Sequence, residues 1–385
     1  MIPYGRQEVT SEDIEAVRSV LESDYLTQGP AVSAFELNVA TYCGASNAVA
    51  VNSATAALHI ACLALGLGAG DLLWTSPITF VASANCALYC GAQVDFVDID
   101  PKTYNLSTER LEEKLKKAKA SGKLPKIVVP VHLCGLPCDM KRIWELSQEY
   151  GFRIIEDASH AIGGKYQGIP VGNCKYSDIT VFSFHPVKII TTGEGGMAVT
   201  SNAALGSKMA LLRSHGITRD PVLMTHEPDG PWYYQQIDLG YNYRITDIQA
   251  ALGSSQMNRL DAYIERRHSI AKQYHRRLQG LPLSFQEQPA ESRSAYHLFV
   301  IQLNLEEIKL RHRVVFDALR GDGIGVNLHY IPVHTQPYYG SMGFKEGDFP
   351  YSENYYKRAI SLPMYAGLTE NDLEKTVDCL KRIIG

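Results

Sequence analysis

Short apolar runs and helix-period stripes alternate along most of this chain. The runs are Ala48–Val51, Leu72–Thr75, Val94–Val97, Lys126–Val131, Arg153–Glu156, Ile179–Phe184 and Met197–Thr200. Between many of them lie amphipathic stretches at Thr55–Leu65, Ser83–Cys90, Thr108–Ala120 and Met140–Tyr150. Buried parallel strands read as continuous apolar runs, and packed helices as stripes of period 3.6. The alternation therefore predicts an α/β fold with a mostly parallel, doubly wound sheet and a ligand crevice at the C-terminal ends of its strands.

Both flanks of this region carry further elements. Residues 10–24 predict a helix that starts at Ser11-Glu12-Asp13 and sets Ile14, Val17, Val20 and Leu21 on one face. Thr27-Gln28-Gly29-Pro30 breaks it, and a second helix carries Phe35, Leu37, Val39 and Ala40. Residues 201–220 read as a basic helix and 222–245 as loop. A long helix is expected from Thr246-Asp247 through Leu260 to Leu278. The pattern then changes to strand (His297–Leu303), helix (Glu306–Leu319), strand (Gly325–His329), a Pro/Tyr-rich loop at 331–350 and a closing helix at Glu370–Ile384. This predicts a large α/β/α domain over 1–250 and a smaller α+β domain over 251–385. No internal repeat or low-complexity segment interrupts it.

Composition narrows the function classes. A chain of 385 residues suits two domains rather than one simple core. A net charge of −4 argues against a nucleic-acid footprint. No apolar run reaches the length of a membrane span. Met1-Ile2-Pro3-Tyr4-Gly5-Arg6 has no apolar signal region, so a cytoplasmic protein is expected. Its eight cysteines form no C-x-x-C pair and suggest no disulfide framework. Cys134 and Cys138 bracket Gly135 and Pro137, which read as a turn, and no metal site is expected.

The candidate chemistry sits at the strand ends. Ser183-Phe184-His185-Pro186-Val187-Lys188 places a lysine among apolar neighbours, ahead of the glycine turn Gly193-Glu194-Gly195-Gly196. Desolvation lowers the pKa of an amine and makes it a better nucleophile. Asp157 ends the run Arg153-Ile154-Ile155-Glu156, where a carboxylate either faces the crevice or caps the next helix. Val51-Asn52-Ser53-Ala54-Thr55 turns a strand into a helix whose N-terminus could hold a phosphate or simply be capped by Ser53. Phe80 follows a further strand and suits either a stacking ring or the core. A Schiff-base lysine, a carboxylate for a pyridinium nitrogen and a phosphate turn together make a site for pyridoxal 5′-phosphate (PLP).

The order and spacing of these motifs resemble the DegT/DnrJ/StrS sugar aminotransferases, a family of fold-type I PLP-dependent transferases. The resemblance runs from Leu26-Thr27-Gln28-Gly29-Pro30 to Ser361-Leu362-Pro363. It includes Asn52–Leu58, Glu156–His160, Ser183–Lys188, Arg213-Ser214-His215-Gly216 and Gly240-Tyr241-Asn242-Tyr243-Arg244. It implies that Lys188 is the Schiff-base lysine and proton shuttle, and that Asp157 pairs with the pyridinium nitrogen. Phe80 would stack on the ring, with His160 beside its phenolic oxygen. Ser53, Ala54, Thr55 and Ser183 would contact the phosphate. Asn242 would reach the neighbouring subunit's cofactor, which makes the active site shared and a homodimer necessary. Tyr4, Asp24, Tyr25, Leu26, Thr27, His329, Tyr330, Ile331, Pro332 and Tyr339 would touch a nucleotide-sugar. Read alone, Asn242 fits a turn residue, Tyr4 and Tyr339 surface aromatics, and His329 the end of a strand.

Within the family, Ser183–Lys188, Ser76–Asn85 and Val326–Pro332 resemble the branch of pseudaminic acid biosynthesis. That branch implies L-glutamate as donor and C4 of a UDP-linked 4-keto-6-deoxy-N-acetylhexosamine as acceptor. Thr192–Met197 also suits GDP-perosamine-type enzymes, and a dTDP-4-keto-sugar is a further alternative. A regulator that binds PLP or a nucleotide-sugar without turnover is the alternative of another class, and the intact Lys188, Asp157 and Ser183 speak against it.

Overall fold

A computed structural model describes all residues, 1–385. The apolar runs pair into a seven-stranded sheet. In spatial order its strands are Asn47–Val51, Gly196–Thr200, Ile179–Ser183, Arg153–Asp157, Ile127–Val129, Leu72–Thr75 and Gln93–Phe96. The last five of these pair in parallel. Gly196–Thr200 runs antiparallel to both of its neighbours. No crossover helix separates it from Ile179–Ser183; the chain loops out through Lys188 and turns straight back, which only an antiparallel neighbour allows.

Helices cover the sheet. Ala54–Ala64 and Ala82–Tyr89 pack with the strands in one large apolar cluster. Thr108–Ser121 and Met140–Tyr150 bury Leu111, Leu115, Ile143 and Leu146 in another. The helix Ser11–Leu21 behaves differently from its sequence pattern. Thr10 and Asp13 form its capping box, and Asp13 is its buried residue, bonded to Ser255, Gln256 and Arg259. Its apolar positions Ile14 and Leu21 stay 63% and 57% exposed.

Two expectations for the C-terminal region need correction. The long helix breaks at Asn258-Arg259 into Asp247–Met257 and Leu260–Arg277. Gly325–His329 forms no strand; Ile324 and Asn327 make only isolated bridges, to Ile2 and Ser361. The third strand of the small antiparallel sheet is instead Ala359–Leu362, beside Phe299–Leu303 and Leu283–Phe285. The expected boundary at 250/251 cuts the helix Asp247–Met257. That helix packs against Ser11–Leu21 and Pro30–Cys43, on the large-sheet side. The two cores meet further on: Leu260 and Ile264 belong to one, and Ile270 and Tyr274 to the other.

No helix is long and apolar enough to cross a membrane. All eight cysteines are free thiols.

Candidate active site

A cavity of about 820 Å³ opens at the C-terminal ends of the parallel strands. Its floor follows from strand geometry. Successive side chains on a strand face opposite ways, so Asp157 points into the cavity while Glu156 points to the other face. Ser83 donates to Asp157 Oδ2 at 2.5 Å, and the Ser159 amide donates to Oδ1 at 3.1 Å. Ser83 has one proton and gives it to Asp157, so Thr79 is the donor in their mutual 2.7 Å bond.

Lys188 lies on the loop between Ser183 and Gly196, and its amine makes no hydrogen bond or ion pair within the chain. Burial pushes its pKa down to about 8, with Asp157 acting in the opposite direction. Close by, Ser53 caps the helix Ala54–Ala64 by accepting from the Ala56 amide at 3.1 Å. The amides of Ala54 and Thr55 precede the first intrahelical bond and are free to bind an anion. Gly196 lets the strand pass beneath this turn: a Cβ there would lie 2.5 Å from Ala54 N and Ser53 O.

Aromatic and imidazole groups make the walls. His160 Nε2 and the Tyr330 hydroxyl lie 3.0 Å apart, while His160 Nδ1 is buried without a partner. Burial, with Lys188 and His329 nearby, holds the His160 pKa far below the usual imidazole range. His329 is pushed down to about 3, by burial and then by Lys188. Its Nδ1 bonds Ser361 Oγ at 2.8 Å, and its ring packs 5.2 Å from that of Tyr4. Phe80, 59% exposed, stands at the mouth with its ring 6.3 Å from Tyr330.

A desolvated, unpaired amine, a carboxylate and an anion-binding turn around one cavity are the fittings of a PLP enzyme. The chain matches the DegT/DnrJ/EryC1/StrS aminotransferase family over residues 7–381. It belongs to that family. Its curated relatives include the spore coat polysaccharide biosynthesis protein SpsC of Bacillus subtilis, 38% identical over 100% of this chain and 97% of that protein. Among solved structures it is similar to Helicobacter pylori PseC, an aminotransferase of pseudaminic acid biosynthesis. The TM-score is 0.91 and the identity 28%, over 100% of this chain and 99% of that one. It is also similar to Streptomyces venezuelae DesV, solved with a ketimine intermediate, with a TM-score of 0.86 and 29% identity over 97% and 94% of the two chains. The protein is a PLP-dependent sugar aminotransferase of fold type I.

The structure gathers Tyr4, Ser53, Ala54, Thr55, Phe80, Asp157, His160, Ser183, Lys188, His329 and Tyr330 around the cavity. Other candidates lie elsewhere. Asp24, Tyr25, Leu26 and Thr27 are exposed on the surface, with Thr27 bridged to Thr246. Asn242 is exposed too, bridged to Ser214. Ile331 faces outward and Pro332 is buried, and neither lines the cavity. Tyr339 is no surface aromatic: it is 2% exposed, packs on Phe96 and donates to Asn85 Oδ1 at 2.6 Å. Residues the sequence reading left unassigned also line the cavity, among them Ser83, His297 and Gln249. Ser83 was within reach, because it falls one helical turn from Thr79, at the crevice end of its helix. His297 carries no local signal, since it sits beside a strand of the small domain.

Proposed function

We propose that this enzyme moves the amino group of L-glutamate to C4 of a UDP-linked 4-keto-6-deoxy-N-acetylhexosamine. The observation that carries the reaction is the unpaired, desolvated amine of Lys188 in the same cavity as Asp157. When bound there, PLP supplies the electron sink that stores the amino group between donor and acceptor. Lys188 is the attachment point, and its Nζ takes the proton from the donor's α-carbon and returns one at C4 of the sugar. Asp157, fixed by Ser83 and Ser159, would accept the hydrogen bond of the protonated ring nitrogen and keep it charged. The amides of Ala54 and Thr55, with the hydroxyls of Ser53 and Ser183, would hold the cofactor's phosphate. Phe80 would cover the ring, and His160 has an unpartnered Nδ1 that would serve the ring oxygen. Tyr4, His329 and Tyr330 line the side open to a sugar.

The substrate assignment draws on the Ser183–Lys188 phrase and on the similarity to PseC. A second reading has its own support. SpsC, of spore coat polysaccharide biosynthesis, is 38% identical against 28% for PseC, which favours a different acceptor sugar, and the Thr192–Met197 phrase also suits a GDP-linked one. Asp24–Thr27 and Asn242 face outward, and apolar Ile14, Leu26 and Leu37 are exposed. A homodimer would cover this surface and bring those residues to a second cavity. Eight free thiols suit the reducing cytoplasm.

Absorbance of the purified holoenzyme tests both levels. L-Glutamate is expected to bleach the visible cofactor band, and only the accepted keto-sugar to restore it. Restoration by a GDP- or dTDP-sugar alone would replace the substrate and keep the chemistry. A band indifferent to glutamate would overturn the site.

A further inference from the structure

One buried cation takes no part in this scheme. Arg267, on the helix Leu260–Arg277, is 2% exposed and makes no ion pair. One of its nitrogens, Nη1, donates to the carbonyls of Tyr296 at 3.1 Å, His297 at 3.2 Å and Met364 at 3.0 Å. Its Nε is buried with no partner. Burying a charge without a counter-charge is costly, and a brace of fold alone would need only a neutral donor.

What this guanidinium holds is the cavity wall. His297 lines the cavity with its ring 4.4 Å from that of His160. Its Nδ1, like that of His160, is buried without a partner. Behind it the backbone is packed tight. A Cβ on Gly135 would lie 2.8 Å from His160 O, 2.9 Å from Tyr296 N and 3.1 Å from His297 N. Met364 in turn donates its amide to the Tyr4 carbonyl at 2.9 Å.

We propose that Arg267 is a positioning residue for amino transfer that acts through His297, by fixing the backbone from which the imidazole stands against His160. The inference rests on the reading of the cavity around Lys188 as the active site. Burial above all holds the His297 imidazole neutral, and the neighbouring His160, Lys188, Arg267 and His329 push in the same direction. A neutral, fixed His297 offers a hydrogen-bonding nitrogen to cofactor or substrate in a place where an imidazolium would repel the amine.

The test compares R267M, R267K, H297N and the R267M/H297N double variant, each shown to be folded by its thermal melt. Two quantities are read: kcat/KM of the glutamate half-reaction, and the position of the visible band when PLP is added to apoprotein. Displacing a group in the site costs on the order of 100-fold, the loss expected for R267M and H297N. R267K keeps the charge and part of the bonding, and about 10-fold or less is expected. The double variant should lose no more than about threefold beyond H297N, because residues acting through one another are not additive. R267M and H297N should also shift the band alike, which a merely structural brace would not do. Losses that multiply, or folded R267M within about twofold of wild type, would overturn the inference. If R267M does not fold, R267K against R267K/H297N carries the same comparison. A wild-type band that ignores L-glutamate would instead overturn the reading of the site, and the inference with it.

Discussion

Glu156 and Asp157 adjoin at the end of one strand and serve opposite faces of the sheet. Glu156 is enclosed. His132 Nε2 lies 2.7 Å from it, Thr180 donates at 2.9 Å, and Ser177 donates as well. Burial alone would raise its pKa; His132 and the hydroxyls outweigh that and hold the carboxyl below its usual range. Asp157 receives only Ser83 and the Ser159 amide, and opens onto the cavity. The same functional group, one residue apart, is spent on the fold in one case and left available in the other. Site residues are therefore recognised by what they leave unpaired more than by burial or residue type.

The largest effect belongs to the group with no partner at all. Lys188→Ala removes the amine that both half-reactions use, and a loss on the order of 10⁴-fold or more in kcat is expected, with the fold intact. Single-turnover absorbance with L-glutamate measures it; a loss of only about tenfold would mean that another base moves the proton.

The two carboxylates give the next test. Asp157→Asn keeps the shape and removes the charge, and kcat is expected to fall by about 10²–10³-fold with little change in melting temperature. Glu156→Gln should do the reverse, lowering stability by about 1–3 kcal/mol while the folded fraction turns over as before. The pH dependence separates them further. A carboxyl depressed in the folded state stabilises above its unfolded pKa, near 4.3, and loses that contribution as pH falls through the lower folded value. Wild type should therefore lose stability on acidification below about pH 4 more steeply than Glu156→Gln. Urea melts over that range, beside initial rates at neutral pH, would break the comparison if both variants lost the same property.

Gly196→Ala probes the cofactor cradle. The added Cβ would meet Ala54 N and Ser53 O at 2.5 Å, and both are backbone atoms that cannot swing aside. Overpacking of this kind costs about 1–3 kcal/mol. The loss should appear in PLP affinity as well as in stability, because the displaced turn is the anion site. A melt that drops with unchanged PLP affinity would separate the cradle from the site.

Much of this was legible in the sequence, because periods of two and 3.6 are local properties. The seven large-sheet strands appear within a residue or two of their apolar runs, and the closing helix Glu370–Ile384 at its expected bounds. Lys188 and Asp157 were marked by strand-end position and apolar neighbours. What failed was set by distant pairing. Ala359–Leu362 follows Arg358 directly from a helix, so no turn signals a strand; its partner Phe299–Leu303 supplies the edge that makes it one. Apolar pattern placed Ile14 and Leu21 as a helix face, but which face is covered depends on Asp13 finding Arg259, far along the chain. Tyr339 reads equally well as surface or core until Phe96 and Asn85 are seen around it. His297 and Arg267 come together through backbone carbonyls, which carry no side-chain signature.

The smallest effect returns to Lys188, in the cofactor-free protein, where the availability of the amine has a thermodynamic sign. Its folded pKa is about 8, by burial, against about 10.4 for an unfolded lysine. Between those values the unfolded chain binds more protons, so raising the pH through that window raises stability. Below about pH 8 both states are charged, and the whole cost of holding the ammonium away from water is present. Lys188→Met removes that cost. At pH 7 the apoprotein variant should be more stable than wild type by about 1–3 kcal/mol, and the advantage should shrink as pH climbs toward 10. Glu156→Gln has the opposite sign at pH 7, so paired urea melts of the two variants set a group held for chemistry against one held for structure. No gain for Lys188→Met would mean that the amine is well solvated, and its low pKa would need a cause other than burial.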